Sequence, residues 1–239
     1  TYHGGISNGV VFSLDTNGGN YTVLKYFSGI TGPPNAGTNT DGAAPIAGLI
    51  LDRDVLYGVT VGGGAESLGT VFSLKTNGTA FANLHDFLVA DGGFPRNALL
   101  LDGATLYGAT AAGGITNRGT IFMVQTNGAD FTVLRNFDTV SGSQCDAKFV
   151  LSSNTLYGTA VNGGSNSAGV VFSLTVLPHI VMNANLGFQS GSFGFDYTGV
   201  SNQTAIIEFT TNLSQPVWQP LQTNLLTGAP LYFDDLSSQ

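Results

Sequence analysis

The stretch Leu56 to Gly78, LYGVTVGGGAESLGTVFSLKTNG, returns fifty residues later as LYGATAAGGITNRGTIFMVQTNG (Leu106 to Gly128). After another fifty it begins again as LYGTAVNGGSNSAGVVFSL (Leu156 to Leu174). A module of this size cannot cover its own apolar face, so the copies must stack and seal one another. Repetition is the tightest constraint on what this chain can fold into.

Each copy divides into strands. VLYGVT (55 to 60) is a short strand running into the loop VGGGAESL, and GTVFSLK (69 to 75) alternates apolar with small or polar residues at period two. Thr-Asn-Gly follows at 76 to 78 and 126 to 128 and stands near the start at 16 to 18. Asn-Gly between β-prone runs predicts a type I′ hairpin, whose two central positions both need positive φ. The chain returns through YTVLKYF (21 to 27), FANLHDF (81 to 87) and FTVLRNF (131 to 137), and a fourth strand at 47 to 52, 97 to 102 and 148 to 152 completes a four-stranded antiparallel unit. The 34 glycines show no Gly-X-Y period, and no window is rich in helix formers, so the chain should be all-β. Thr16 to Thr76 is 60 residues against 50 from Thr76 to Thr126, which places a ten-residue insertion within GITGPPNAGTNTDGA (29 to 43), expected to be an exposed loop.

Charge removes several function classes. Only 9% of the 239 residues are charged, with 7 Lys+Arg against 15 Asp+Glu and a formal charge of -8. Nucleic-acid affinity rests on clustered cations that displace counterions, so nucleic acid is not expected as a partner. Cys145 stands alone, which rules out an internal disulfide framework. No apolar run is long enough to span a bilayer as a helix, so no membrane insertion is expected. The first residues, TYHGG, read as neither a signal peptide nor an initiator segment, as if the chain were processed or trimmed; a removed export signal would be invisible here.

The recurring LYG-x-T-x-x-GG…GTVFSL-x-TNG…FTVL-x-x-F pattern resembles the bacterial tandem repeat called GloVer, found in exported choice-of-anchor proteins and regarded as β-propeller-like. The resemblance covers residues 1 to about 177. Residues 178–239, with FGFDYTGVSNQTAIIEFTTNLSQPVWQPLQTNLL, resemble the small C-terminal β module attached to such repeats in Verrucomicrobia-like secreted proteins. The resemblance implies export and surface display, with no activity common to the family, and its anchor segment is absent from this sequence. The expected architecture is all-β: four-stranded repeats of about 50 residues, propeller-like and either incomplete or trefoil-like, followed by a small β-sandwich-like domain. The copies fall near 1–55, 56–105, 106–155 and, in part, 156–177.

The ends of the array suggest a role. Thr1 to Gly5 aligns with Thr110 to Gly114, so the first copy starts after the place of its LYG strand. GVVFSL (169 to 174) opens a fourth copy, but TVLPH replaces the Thr-Asn-Gly hairpin. The repeat strands fall short of the four to eight four-stranded blades that close a propeller. A sheet lacking a strand leaves unpaired backbone groups along an edge, a template for a strand of another molecule, and a head-to-tail contact that does not close makes a filament. The residues placed at such contacts are Tyr2, Gly4, Ile6 and Val10 at one end and Tyr232 and Phe233 at the other. Simple truncation of the ends is the competing explanation.

Catalysis finds little support. His3, His85 and His179 have no metal-ligand spacing, and His85 aligns with Lys25 and Arg135, as a polar strand position would. Cys145 has no partner histidine and reads as a small buried side chain. Asp52, Asp54, Asp91, Asp102 and Asp146 sit near ends of the fourth strand, where a surface Ca2+ or a hydrolytic pair could form, though without calcium-loop spacing. No cofactor is assigned. Tyr57, Tyr107 and Tyr157 recur once per copy and could stack on sugars as a ligand surface, although a repeat-periodic aromatic is more often core. Sequons occur at Asn20, Asn77, Asn202 and Asn212. The reading is a non-enzymatic, extracellular or cell-surface structural protein that polymerises with itself. The alternatives are a monomeric carbohydrate- or ligand-binding repeat domain and a propeller-type glycoside hydrolase.

Overall fold

A computed structural model describes residues 8–31, 38–181, 186–189, 192–209 and 219–235. The chain is all-β, with no helix among the described residues. In chain order the repeat strands are β1 (Val10–Ser13), β2 (Thr22–Tyr26), β3 (Asn39–Ala43), β4 (Ile50–Asp52), β5 (Val55–Thr60), β6 (Gly62–Gly64), β7 (Thr70–Lys75), β8 (Ala82–Asp86), β9 (Leu100–Asp102), β10 (Thr105–Ala109), β11 (Thr120–Gln125), β12 (Thr132–Asn136), β13 (Val150–Ser152), β14 (Thr155–Ala160) and β15 (Val170–Thr175). They are followed by β16 (His179–Val181), β17 (Gly187–Gln189), β18 (Ser192–Thr198), β19 (Thr204–Phe209), β20 (Gln219–Leu225) and β21 (Leu231–Asp235).

Two complete repeats are four-stranded sheets, ordered β4-β5-β7-β8 and β9-β10-β11-β12. Among the described residues, the start of the array gives the two-stranded sheet β1-β2 and its end the three-stranded sheet β13-β14-β15. Register repeats along with sequence. Val10 faces Tyr26, Thr70 faces Asp86 and Thr120 faces Asn136, and each ladder carries a bulge after the next residue. The LYG glycines exist because a ring crosses their backbone: a Cβ on Gly58 would lie 2.7 Å from Phe72 Cζ, and on Gly108 2.4 Å from Phe122 Cζ.

Two expectations need correction. The Thr-Asn-Gly hairpins are not type I′, because only the glycine has positive φ (Gly18 84°, Gly78 81°, Gly128 85°). Gly78 N donates to Lys75 O at 2.9 Å, closing a turn over Thr76 and Asn77 with the glycine in the left-handed position, as in a longer bulged hairpin loop. The asparagine serves instead as an acceptor, since Asn77 Oδ1 takes the Thr79 N–H at 3.1 Å and Asn127 Oδ1 the Ala129 N–H at 2.9 Å. The insertion is also not wholly an exposed loop. Its Asn39–Ala43 portion is β3, antiparallel to β6, and Asp41 is only 5% exposed. The bridges Gly93↔Ala112 and Ser143↔Asn162 repeat this pairing, so the segment belongs to the repeat proper.

The described residues fall into two compact units, defined by contacts rather than by one cut in the chain. One comprises Thr1–Leu101, Leu106–Val150 and Tyr157–Ser173; the other comprises Asp102–Thr105, Leu151–Leu156 and Leu174–Gln239. In the second unit β18 carries β16 and β17 on one side and β21 on the other, and β19 pairs with β20. Tyr197, Ala205, Leu226 and Phe233 form its core, with Phe195 and Phe233 rings 5.0 Å apart.

The core of the first unit is shared between copies: Tyr57, Val71 and Phe87 of one pack with Leu106, Phe122 and Val124 of the next. Ile121 is 1% exposed, whereas Val171, its equivalent in the last copy, is 82% exposed. In urea unfolding, Ile121→Ala should cost about 2–5 kcal/mol through transfer and cavity terms, and Val171→Ala should stay within about 0.5 kcal/mol. Equal costs at the two positions would contradict this division between a sealed and an open copy.

Candidate assembly interface

The joints between copies are built from one aromatic set. Each return strand ends in a phenylalanine that is buried in the following copy. Phe27 meets Phe72 edge-on at 5.4 Å and Phe81 at 6.1 Å. Phe87 meets Phe122 at 5.1 Å and Phe131 at 5.9 Å, and Phe137 meets Phe172 at 5.4 Å. Such edge-to-face pairs add about 0.5–1.5 kcal/mol beyond the area they bury.

A nitrogen-bearing side chain two positions earlier joins the first two sets. Lys25 Nζ lies 4.6 Å above the Phe81 ring, and the His85 ring stacks on Phe131 at 3.5 Å. Lys25 Nζ also reaches Asp41 Oδ2 at 2.6 Å, and His85 Nε2 lies 3.1 Å from Asp91 Oδ2. These acids hold the loop after the closing phenylalanine: Ser28 N donates to Asp41 Oδ1 at 3.1 Å, and Leu88 N to Asp91 Oδ1 at 2.8 Å. In the third copy Ser141 stands in the acid's place and accepts from Asp138 N at 3.0 Å. Asp138 in turn takes the N–H and hydroxyl of Ser141 and the N–H of Val140, and its carboxyl is held below the usual range, first by the Ser141 N–H. Arg135 Nη2 lies 3.8 Å from Asp138 Oδ2, half exposed, and meets no ring among the described residues.

The open edge lies on the last copy. β7 and β11 each have a strand on both sides, whereas among the described residues β15 pairs with β14 alone. Its residues alternate between half-buried and exposed, whereas β11 is buried throughout.

Of the residues placed at contacts by sequence, Tyr2, Gly4 and Ile6 lie outside the described residues. Val10 is buried and faces Tyr26. Phe233 fills the core of the second unit, and the exposed Tyr232 faces Asp196 on β18 of its own chain. Tyr57, in the shared core, and Tyr107 are both buried, which takes them off any sugar-stacking surface and leaves Tyr157, 45% exposed. Burial foremost, then the Asp52 charge, raises the Tyr57 phenol, while a hydrogen bond with Thr126 opposes them.

The candidate acids are spread out over separate partners. Asp54 lies 3.4 Å from Lys75 Nζ, Asp91 meets His85, Asp102 Oδ2 accepts from Ser201 N at 2.7 Å and Asp146 Oδ2 from Gln144 Nε2 at 3.3 Å. Among the described residues no three His, Cys, Asp or Glu side chains group as a metal site. His3 lies outside the described residues, and His179 opens β16. What sequence reasoning missed is the seating of a side chain on a ring of the next return strand: aligning those strands puts Lys25, His85 and Arg135 in one column and Tyr21, Phe81 and Phe131 in another, and the pairs formed are Lys25 over Phe81 and His85 on Phe131.

Comparison with known proteins adds a family. A sequence profile described as the Gloeobacter/Verrucomicrobia repeat matches residues 1–211, beyond the limit near residue 177 expected for the repeats. No curated protein matches the chain. A chain in a crystal structure of a nidogen/laminin complex is similar at 14% identity and TM-score 0.45, over 80% of this chain and 64% of that one. A Bacteroides fragilis NCTC 9343 protein, assigned provisionally as a 6-phosphogluconolactonase, is similar at 16% identity and TM-score 0.35, over 94% and 65% respectively. The chain thus spans less than two thirds of the length of either neighbour.

Cys145 is wholly buried, and burial pushes its thiol from near 9.0 up to about 12. A raised value favours the protonated native form, so its stability contribution is full below the unfolded thiol's value and is lost as pH rises from about 9 to about 12. A thiol reagent at pH 8 should leave the native protein unmodified and label one thiol after urea unfolding; Cys145→Ala should flatten the fall in stability between pH 9 and 12. Rapid native labelling would show that the site opens.

Proposed function

The chain belongs to the Gloeobacter/Verrucomicrobia repeat family, and we propose that it serves as a non-enzymatic structural subunit of an extracellular fibre, joined to further copies of itself by β-strand pairing. The supporting observation is the edge of β15, unpaired on one side among the described residues and with Val171 exposed where Val71 and Ile121 are buried. An open strand edge is a template for β-addition, and a chain with few charges has little with which to blunt it.

The resemblance to exported choice-of-anchor repeats supports the extracellular location, with the repeats arranged as a propeller-like stack and the C-terminal strands as an attached β module. The chain is its own principal partner, and neither nucleic acid, cofactor nor membrane insertion enters the reading. A monomeric glycan binder is the rival, and Tyr157 is what remains of its aromatic platform.

Negative-stain microscopy and sedimentation test the proposal. The wild-type chain should form filaments, and Val171→Lys, which leaves the buried core untouched, should give discrete particles with an unchanged urea midpoint. Wild-type protein that stays monomeric at high concentration, or that binds glycans as a monomer, overturns the fibre reading.

A further inference from the structure

The hexapeptide GVVFSL occurs twice, at Gly9–Leu14 and at Gly169–Leu174. The first copy forms β1 and the second forms β15, yet identical residues have opposite surroundings. Val11 is 4% exposed and faces Lys25 on β2; Val171 is 82% exposed. Among the described residues β1 has the return strand β2 beside it and no LYG strand, whereas β15 has the LYG strand β14 and no return strand. Each holds the half of a four-stranded repeat that the other lacks.

We propose, resting on the fibre reading, that β15 of one subunit takes the place of β1 against β2 of the next, so that β13-β14-β15 and the neighbour's β2 complete one four-stranded repeat. The register is that of the strand replaced: Val170 opposite Tyr26, Val171 opposite Lys25, Phe172 opposite Val23 and Ser173 opposite Thr22, with the bulge after Val171. β2 keeps its own contacts with the following repeat, Lys25 to Asp41 and Phe81 and Phe27 to Phe72, while the departing β1 gives up the Ala44 N–H bond to Asn8 O at 2.8 Å and opens the turn that Asp15 closes with Gly18 and Gly19. The displaced β1 comes from a two-stranded sheet, which is marginal by itself.

The aromatic joint closes as well. Phe12 and Tyr21, 5.2 Å apart, are the counterparts of the stacked pairs Phe72–Phe81 and Phe122–Phe131. With Phe172 in the place of Phe12, Tyr21 of the neighbour supplies the ring that Arg135 lacks, as Phe81 does for Lys25 and Phe131 for His85. The contact is head-to-tail and repeats without closing, which makes a filament.

Identical residues then give opposite effects. Val171→Asp should abolish assembly, whereas Val11→Asp, which loosens β1 and vacates its seat on β2, should lower the concentration at which filaments appear. Ser173→Cys and Thr22→Cys chains, mixed and oxidised, should yield a disulfide-linked heterodimer, while Ser173→Cys with Tyr26→Cys, out of register, should not. Arg135→Glu should weaken assembly and Arg135→Lys retain it. Filaments that form without the in-register cross-link, or that are lost equally in both valine variants, overturn the exchange and leave the fibre reading standing. Neither filaments nor cross-link in the wild-type background overturns both.

Discussion

Each return strand of this chain ends in a phenylalanine that packs against a ring of the next repeat. Phe27, Phe87 and Phe137 all leave their own return strand and lie edge-on to a ring of the following copy. A buried side chain of this size contributes about 1.5–3 kcal/mol, and sheets of two to four short strands are marginal without such cover. The cohesive elements are therefore the joints. Residues that look like decoration in the motif follow from them, including the LYG glycines, whose missing Cβ lets the phenylalanine ring cross.

The joints also explain where the copies differ. An amine over a ring at Lys25 and an imidazole stacked on a ring at His85 both fill the joint, so the position accepts different nitrogen-bearing side chains. The loop after the phenylalanine needs one acceptor for its first N–H, supplied by Asp41, Asp91 or the Ser141 hydroxyl. What does not interchange is order along the chain. Arg135, whose following copy has no return strand among the described residues, meets no ring there, and Tyr21 on the first described return strand is exposed.

Much of this was legible in the residues. Period-two alternation and the repeat placed β5, β7, β8, β11 and β12 within about a residue of their observed limits, because covered strands carry the pattern of their cover. The turn type was not legible, since Asn-Gly suits both a type I′ turn and a turn in which asparagine caps the backbone; the choice depends on the loop that follows. The buried Asp41 was hidden by a Gly- and Pro-rich flank, and burial of Tyr57 and Tyr107 beside exposure of Tyr157 depends on which copies have successors. The two GVVFSL segments were visible as letters. Their significance appears only when one is found covered and the other bare.

Hydrogen exchange at β15 tests the dependence of each copy on its neighbour most directly. In dilute solution the amides of Val170–Thr175 that point away from β14 should exchange far faster than their counterparts in β7 and β11, and should become protected as concentration rises. Equal protection of β15, β7 and β11 in the dilute monomer would contradict the account.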